Sequence, residues 1–376
     1  MADAPLTVLV APDSFKGSLT AVEVARALAT GWARARPHDE LLLSPLADGG
    51  EGTLVAIAAA GGWSVETARV HDPLRREIPA RWLRSADGRA AVVEMAEASG
   101  LSRVRPEERD AIAATSLGTG ELIRVAALAG ASRVIVGIGG SATTDGGRGL
   151  LAGLAGDGSD HDLDKRLDLD AIREVAQAID VEVACDVANP LLGPTGAAAT
   201  YGPQKGASPA QVDELDRRLA GWSRELAAST GRDEAETPGA GAAGGVGYAL
   251  LSVRDCFRAF HLRPGVELVM EATDFDGKLA HADLVVTGEG QVDAQTAFGK
   301  TALGVARAAA AVGVPCVVVG GGVTPEGIDA LAGLGAIVVP VSEIPQSVET
   351  AMAAGSPPVE RCGERIARLA SIMGGR

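Results

Sequence analysis

At 376 residues the chain is long enough for two domains or one large one. Its 47% apolar content supplies a sizeable core, built from Ala, Val, Leu and Ile because aromatics contribute only 3%. The net charge of −15 argues against a nucleic-acid partner, which needs a basic face, but not against an anionic small substrate held in a local basic pocket. Cys185, Cys256, Cys316 and Cys362 are widely spaced and form no CxxC pair, so neither a zinc site nor a disulfide framework is indicated. No apolar run reaches membrane-spanning length, residues 6–11 are too short for a signal h-region, and a reducing cytoplasm fits best.

In chain order, residues 6–11 (LTVLVA) read as a buried strand, residues 12–18 (PDSFKGS) as a polar turn, and 20–34 as a helix with apolar positions at 21, 22, 24, 25 and 28. This is the start of a βα unit, and ligands collect at the carboxyl ends of such strands. Ser18 or Thr20 suits an N-cap; Asp13 and Lys16 together have no capping role and mark a candidate site. A second strand over 41–46 leads through 47–53 (ADGGEGT) to a helix over 54–60. Of Asp48 and Glu51 in that turn, one could cap the helix, or the two around a Gly-Gly could hold Mg²⁺ or substrate hydroxyls.

From Trp63 the pattern changes to strands over 65–70, 78–83 and 91–95 joined by turns without helices, which predicts antiparallel pairing and a new domain. A helix from about 115 to 129 leads into a short β-branched run, Val134–Val136, which feeds residues 137–147 (GIGGSATTDGG). Five glycines, three hydroxyl residues and one carboxylate at a strand end make a turn whose amides can point at an anion. Residues 156–168 read as a solvated loop. A strand over 181–185 ends in Asp186, and a long Pro/Gly-stiffened loop runs from there to 206, a length that in compact domains usually marks function. Residues 209–228 form an amphipathic helix.

A strand over 283–287 precedes residues 288–301, after which βα alternation returns: helix 301–312, strand 315–319, Gly320–Gly322, helix 325–332, strand 336–341 and helix 359–372. The chain thus begins and ends in parallel α/β pattern with a different pattern between. It reads as an α/β protein of two domains: a discontinuous Rossmann/flavodoxin-like one over 1–65 plus 276–376, and an inserted one with a mixed sheet over 66–275.

Familiar fingerprints fail on inspection. Gly239-x-Gly241-x-x-Gly244 follows a Pro-rich loop, not a strand, and Ala294 stands where a P-loop ending in Gly299-Lys300-Thr301 needs glycine. The five histidines lie in polar or loop-like surroundings, which disfavours a histidine base. Among 34 basic residues only five are lysines, Lys16, Lys165, Lys205, Lys278 and Lys300; four of them adjoin glycine, as a compact point charge at a phosphate would. Carboxylates and lysines on glycine-rich turns suffice for phosphoryl transfer, which needs a base near the acceptor hydroxyl and cations on the phosphates. Asp186, beside Asn189, suits either the base or a Mg²⁺ ligand.

Six blocks carry a specific likeness: 11–18 (APDSFKGS), 45–53 (PLADGGEGT), 137–147 (GIGGSATTDGG), 185–198 with 201–207 (CDVANPLLGPTGAA, YGPQKGA), 239–247 (GAGAAGGVG) and 286–301 (VTGEGQVDAQTAFGKT). In order and over nearly the whole chain they resemble the bacterial glycerate kinases of the glycerate 2-kinase, type I family. The resemblance implies ATP-dependent phosphorylation of D-glycerate with Mg²⁺, to 2-phosphoglycerate, the 3-phosphate being the other assignment. It also implies two α/β domains, one inserted in the other, with the site in the cleft between them. Mapped onto this sequence, Asp186 would be the base. Lys16 and Lys300 would pair with phosphate or the glycerate carboxylate, and Asp13, Ser14, Asp48 and Glu51 would position substrate or metal. Gly139, Gly140, Ser141 and Thr143 would cradle nucleotide phosphates, and Glu289 and Asp293 would hold Mg²⁺ or substrate hydroxyls. The expected partners are the two small molecules, with no nucleic acid and no membrane; a homodimer is compatible. A kinase for a related hydroxy or sugar acid, or a non-catalytic nucleotide or metabolite sensor, is the alternative reading.

Overall fold

A computed structural model describes residues 4–157, 167–294, 296 and 301–374. Eleven strands are present among them: β1 (Thr7–Val10), β2 (Glu40–Leu43), β3 (Trp63–His71), β4 (Glu77–Ser85), β5 (Ala90–Glu94), β6 (Arg133–Gly137), β7 (Asp180–Ala184), β8 (Ala259–Arg263), β9 (Leu284–Val292), β10 (Cys316–Val323) and β11 (Ile337–Pro340). The chain packs as two compact units. The first comprises residues 1–48, 55–61 and 266–376, and the second 49–54 and 62–265. This division differs from boundaries at 65/66 and 275/276 chiefly by placing the 49–54 turn with the second unit and the helix that begins at Gly265 almost wholly with the first.

The first unit is built on a five-stranded, all-parallel sheet in the order β11-β10-β9-β1-β2. Numbered by occurrence within this unit, the order is 2-1-3-4-5, the doubly wound flavodoxin arrangement, and strand order reverses between β1 and β9. The helix Ala21–Ala35 starts as its sequence dictates: the Thr20 hydroxyl accepts from the Glu23 N–H at 3.3 Å, while the Glu23 carboxylate accepts the Thr20 N–H at 2.8 Å. That helix buries Val24, Ala25, Leu28 and Trp32 in a core shared with Val8, Val10, Val286, Val319, Val359, Cys362 and Ile366. β9 and β10 outrun the expected strands at 283–287 and 315–319. They keep pairing through Gly320↔Glu289, Gly322↔Gln291 and Val323↔Val292, so the glycines read as turns continue the ladder.

The second unit holds a six-stranded mixed sheet in the order β3-β4-β5-β6-β7-β8. β3, β4 and β5 pair antiparallel, and β5 to β8 run parallel. The antiparallel part follows the helix-free run from Trp63, and the parallel part follows the βα alternation after it. β8 has no counterpart among the expected strands: only five residues long, AFHLR shows too little pattern to stand out. The core is mostly aliphatic, with Trp82, Trp222, Tyr248 and Phe257 as its buried rings. The four cysteines are free thiols, and no helix among the described residues is long and apolar enough to cross a membrane.

Candidate functional site

In the first unit, the ladder between β1 and β9 continues beyond the end of β1. The Ala11 N–H donates to Val286 O and the Asp13 N–H to Gly288 O, both at 2.8 Å. The buried Thr287 hydroxyl adds a bond to Ala11 O at 2.7 Å. Asp13 is thereby fixed at the point where strand order reverses, the place where open α/β sheets collect ligands. Its carboxylate accepts the Ser14 N–H and the Thr301 hydroxyl, each at 2.6 Å. Burial, and then the negative charge of Asp48, raise its proton affinity above the ordinary aspartate value, against the opposing pull of those hydrogen bonds and of Lys16. Asp48 is 3.6 Å from the ammonium of Lys16, whose side chain is 81% exposed. Asp13, Ser14, Lys16 and Asp48 thus form one group. On β9, the buried Glu289 carboxylate accepts the Thr296 hydroxyl at 2.8 Å, and the same hydroxyl oxygen accepts the Asp293 N–H at 3.1 Å. Lys300, the remaining candidate in this stretch, lies outside the described residues.

In the second unit, the 49–54 turn lies across the carboxyl ends of β5, β6 and β7. The Gly139 N–H donates to Gly49 O at 3.3 Å. A side chain at Gly139 would come within 2.4 Å of the Gly50 Cα, and one at Gly49 within 2.4 Å of the Ala184 Cβ. Glycine is required here because two backbones touch. Glu94, at the end of β5, accepts the Gly52 N–H at 2.9 Å and the Leu54 N–H at 2.7 Å, satisfying amides at the start of the helix Thr53–Ala60. Burial pushes its carboxyl up to about 7, opposed by those two amides and helped by Glu97 and Glu51. Glu51 itself is exposed in the turn.

The turn after β6 is pinned on three sides. The Leu101 N–H donates to Gly140 O at 2.8 Å, and the Ala142 N–H to Ser99 O at 2.9 Å. From the single helical turn Pro203–Lys205, the Lys205 ammonium donates to the Ser141 hydroxyl at 2.9 Å and to Thr143 O at 2.5 Å. The hydroxyls of Thr143 and Thr144 are buried with no hydrogen-bond partner among the described residues. Asp145, the carboxylate of this stretch, is spent on structure: it accepts the Ser116 N–H and hydroxyl at 2.8 Å and the Gly147 and Gly149 N–H groups at 3.0 and 3.2 Å. Asp186 is exposed beyond β7 and accepts the Gly265 N–H at 3.0 Å, at the head of the helix Gly265–Ala272.

Sequence reasoning did not single out Glu94, Lys205, Thr296 or Thr301 for these contacts. Lys205 had a signal, as one of five lysines and next to a glycine. Glu94 had a weaker one, a carboxylate ending the apolar run AAVV.

The sequence model of the glycerate kinase family matches residues 8–371. A glycerate kinase from Halalkalibacterium halodurans is 40% identical over 97% of this chain and 98% of its own. A glycerate 2-kinase from Escherichia coli K12 is 40% identical over 87% of this chain and 90% of its own. The chain belongs to the glycerate kinase family. A crystal structure of a Salmonella typhimurium LT2 protein provisionally named glycerate kinase 2 has a TM-score of 0.82 at 38% identity, covering 98% of this chain and 99% of that one. As a glycerate kinase family member the chain is a phosphotransferase, and its two α/β sheets agree with that neighbour. The chemistry it needs is a hydroxyl-directed base, cations for phosphate, and donors held in place.

Proposed function

We propose that the protein transfers the terminal phosphoryl group of ATP to the 2-hydroxyl of D-glycerate, with Mg²⁺, releasing ADP and 2-phosphoglycerate. The observation that carries this reading is the Asp13–Asp48–Lys16 group at the strand-order reversal of the first unit, in a chain of this family. The donors suit Mg²⁺: all are hard oxygens, and the proton affinity of Asp13 is raised by burial and by a neighbouring negative charge that a cation would relieve. No group of three or more His, Cys, Asp or Glu converges among the described residues. That is compatible with an ion which takes one or two carboxylates and otherwise uses phosphate oxygens and water. Asp13 and Asp48, or Glu289 with Asp293, would hold it; when bound it neutralises charge on the phosphates.

The chain's own residues supply the rest. Lys16 and Lys300 meet the phosphates or the glycerate carboxylate, with Ser14 and Glu51 as hydrogen-bonding and orienting groups. The Gly139, Gly140, Ser141 and Thr143 turn takes the nucleotide phosphates. The glycerate oxygen attacks the γ-phosphorus and the bond to the β-phosphate oxygen breaks. Asp186 accepts the hydroxyl proton. A second reading makes Asp13 the base, favoured by its raised proton affinity.

Steady-state kinetics separate the two. Asp186→Asn is expected to lower kcat by about 10²-fold or more, on the scale of general-base loss, with the Mg²⁺ requirement unchanged. Asp13→Asn should instead raise the Mg²⁺ concentration needed for half-maximal rate. Full turnover by Asp186→Asn, with kcat lost in Asp13→Asn at unchanged Mg²⁺ demand, would transfer the base role to Asp13. Absence of ADP formation with D-glycerate, set against a panel of related hydroxy and sugar acids, would overturn the substrate assignment.

A further inference from the structure

Lys205 is only 2% exposed, and no carboxylate lies within ion-pair distance of its ammonium among the described residues. Burying an amine that carries a charge in water is expensive, and such a residue persists where its hydrogen bonds serve a purpose. Its two bonds cross more than sixty residues of sequence to the turn after β6, one to a side chain, Ser141 Oγ, and one to a main-chain carbonyl, Thr143 O. The lysine is carried rigidly. Pro203 opens its helical turn, the Lys205 N–H donates to Gly202 O at 3.0 Å, and Gly206 follows at φ +96°. Beside the carbonyl it grips, two buried hydroxyls, on Thr143 and Thr144, have no acceptor or donor among the described residues. Burying a hydroxyl unpaired is itself costly, so the same short segment holds a buried amine and two unused hydrogen-bonding groups. Asp145 acts on Lys205 only through space, because its oxygens are committed to Ser116, Gly147 and Gly149.

We propose that Lys205 is a positioning residue for nucleotide phosphate. By holding Ser141 and Thr143 from within, it fixes the 139–144 turn in the shape that receives the polyphosphate. The proposal rests on assigning this turn to the nucleotide. Lys205 acts through the turn, not on the transferred group, so its loss should strike the affinity for ATP more than the chemical step.

The experiment combines hydrogen exchange of peptides covering 137–147 with steady-state kinetics, on the wild-type protein and on Lys205→Met. Lys205→Gln, which keeps an N–H donor without the charge, serves should the methionine variant fail to fold. A non-hydrolysable ATP analogue should slow exchange of this segment in the wild type. In the variant, exchange without nucleotide should be faster and the KM for ATP higher by about 10- to 100-fold, the scale of losing a hydrogen bond to a charged group. The KM for D-glycerate should stay within about twofold, inside the spread of a neutral substitution. No protection of the wild-type segment by the analogue would overturn the nucleotide assignment of the turn. Protection in the wild type with an unchanged KM for ATP in a folded variant would overturn the role of Lys205 alone. Equal loss in both KM values would also overturn it, reducing Lys205 to general support of the fold.

Discussion

Glu94 occupies the end of a buried strand and accepts two backbone N–H groups from the 49–54 turn. Its carboxyl is pushed from 4.5 up to about 7 by burial. Between those values the folded protein keeps a proton that the unfolded chain has released. The stability Glu94 contributes is therefore full below about pH 4.5 and lost as pH rises through about 7. Glu94→Gln removes one acceptor and lowers stability throughout, but it also removes this pH dependence. Urea unfolding at pH 5 and pH 8 should show the wild type losing up to about 3 kcal/mol more than the variant over that interval, at about 1.4 kcal/mol per unit. Equal losses in the two proteins would show that Glu94 is not the titrating group. Lys205 carries the opposite sign: burial lowers its ammonium from 10.5 to about 7, so the folded state binds fewer protons in that range and becomes more stable as pH rises through it.

At the scale of elements, the decisive feature is the close approach of two glycine-rich turns over the carboxyl ends of β5 to β7. A methyl at Gly139 would meet the Gly50 backbone at 2.4 Å, whereas one at Gly221, inside the helix Pro209–Thr230, would meet nothing within 4 Å. Gly139→Ala is expected to destabilise by about 1–3 kcal/mol, as overpacking does, and to impair turnover. Gly221→Ala should stabilise by about 0.5–1 kcal/mol through helix propensity alone. Thermal melts of both variants check the contrast, and similar melting points would contradict the packing described.

The strands, helices and caps here were largely legible, because period, Thr20 with Glu23, and Pro209 after Ser208 are local signals. What local signals could not show was pairing. Glycines at 288–290 and 320–322 look like turns until β9 and β10 are laid side by side. Glu94 and Lys205 likewise acquire meaning only through partners some forty to sixty residues away. The site residues legible in the sequence are mostly polar groups on turns, among them Asp13, which burial and Asp48 do perturb; the buried groups that hold those turns carry no comparable local signal.

For the whole molecule, the order β11-β10-β9-β1-β2 creates a strand-order reversal at β1 and β9, and Asp13 is anchored there by main-chain bonds to β9. That placement follows from topology, not from any one motif, and it puts the polar turn of residues 12–18 where open α/β sheets collect ligands. The mixed sheet of the second unit carries the glycine-rich turn and its buried lysine. For the proposed transfer to D-glycerate, the carbon that receives the phosphate is the sharpest consequence. ³¹P and ¹³C NMR of the product formed from D-glycerate, ATP and Mg²⁺ should show phosphorus coupled to C2 and its single methine proton. Coupling to the C3 methylene would contradict the proposed position of transfer, and no phosphorylated glycerate at all would contradict the assignment of the site.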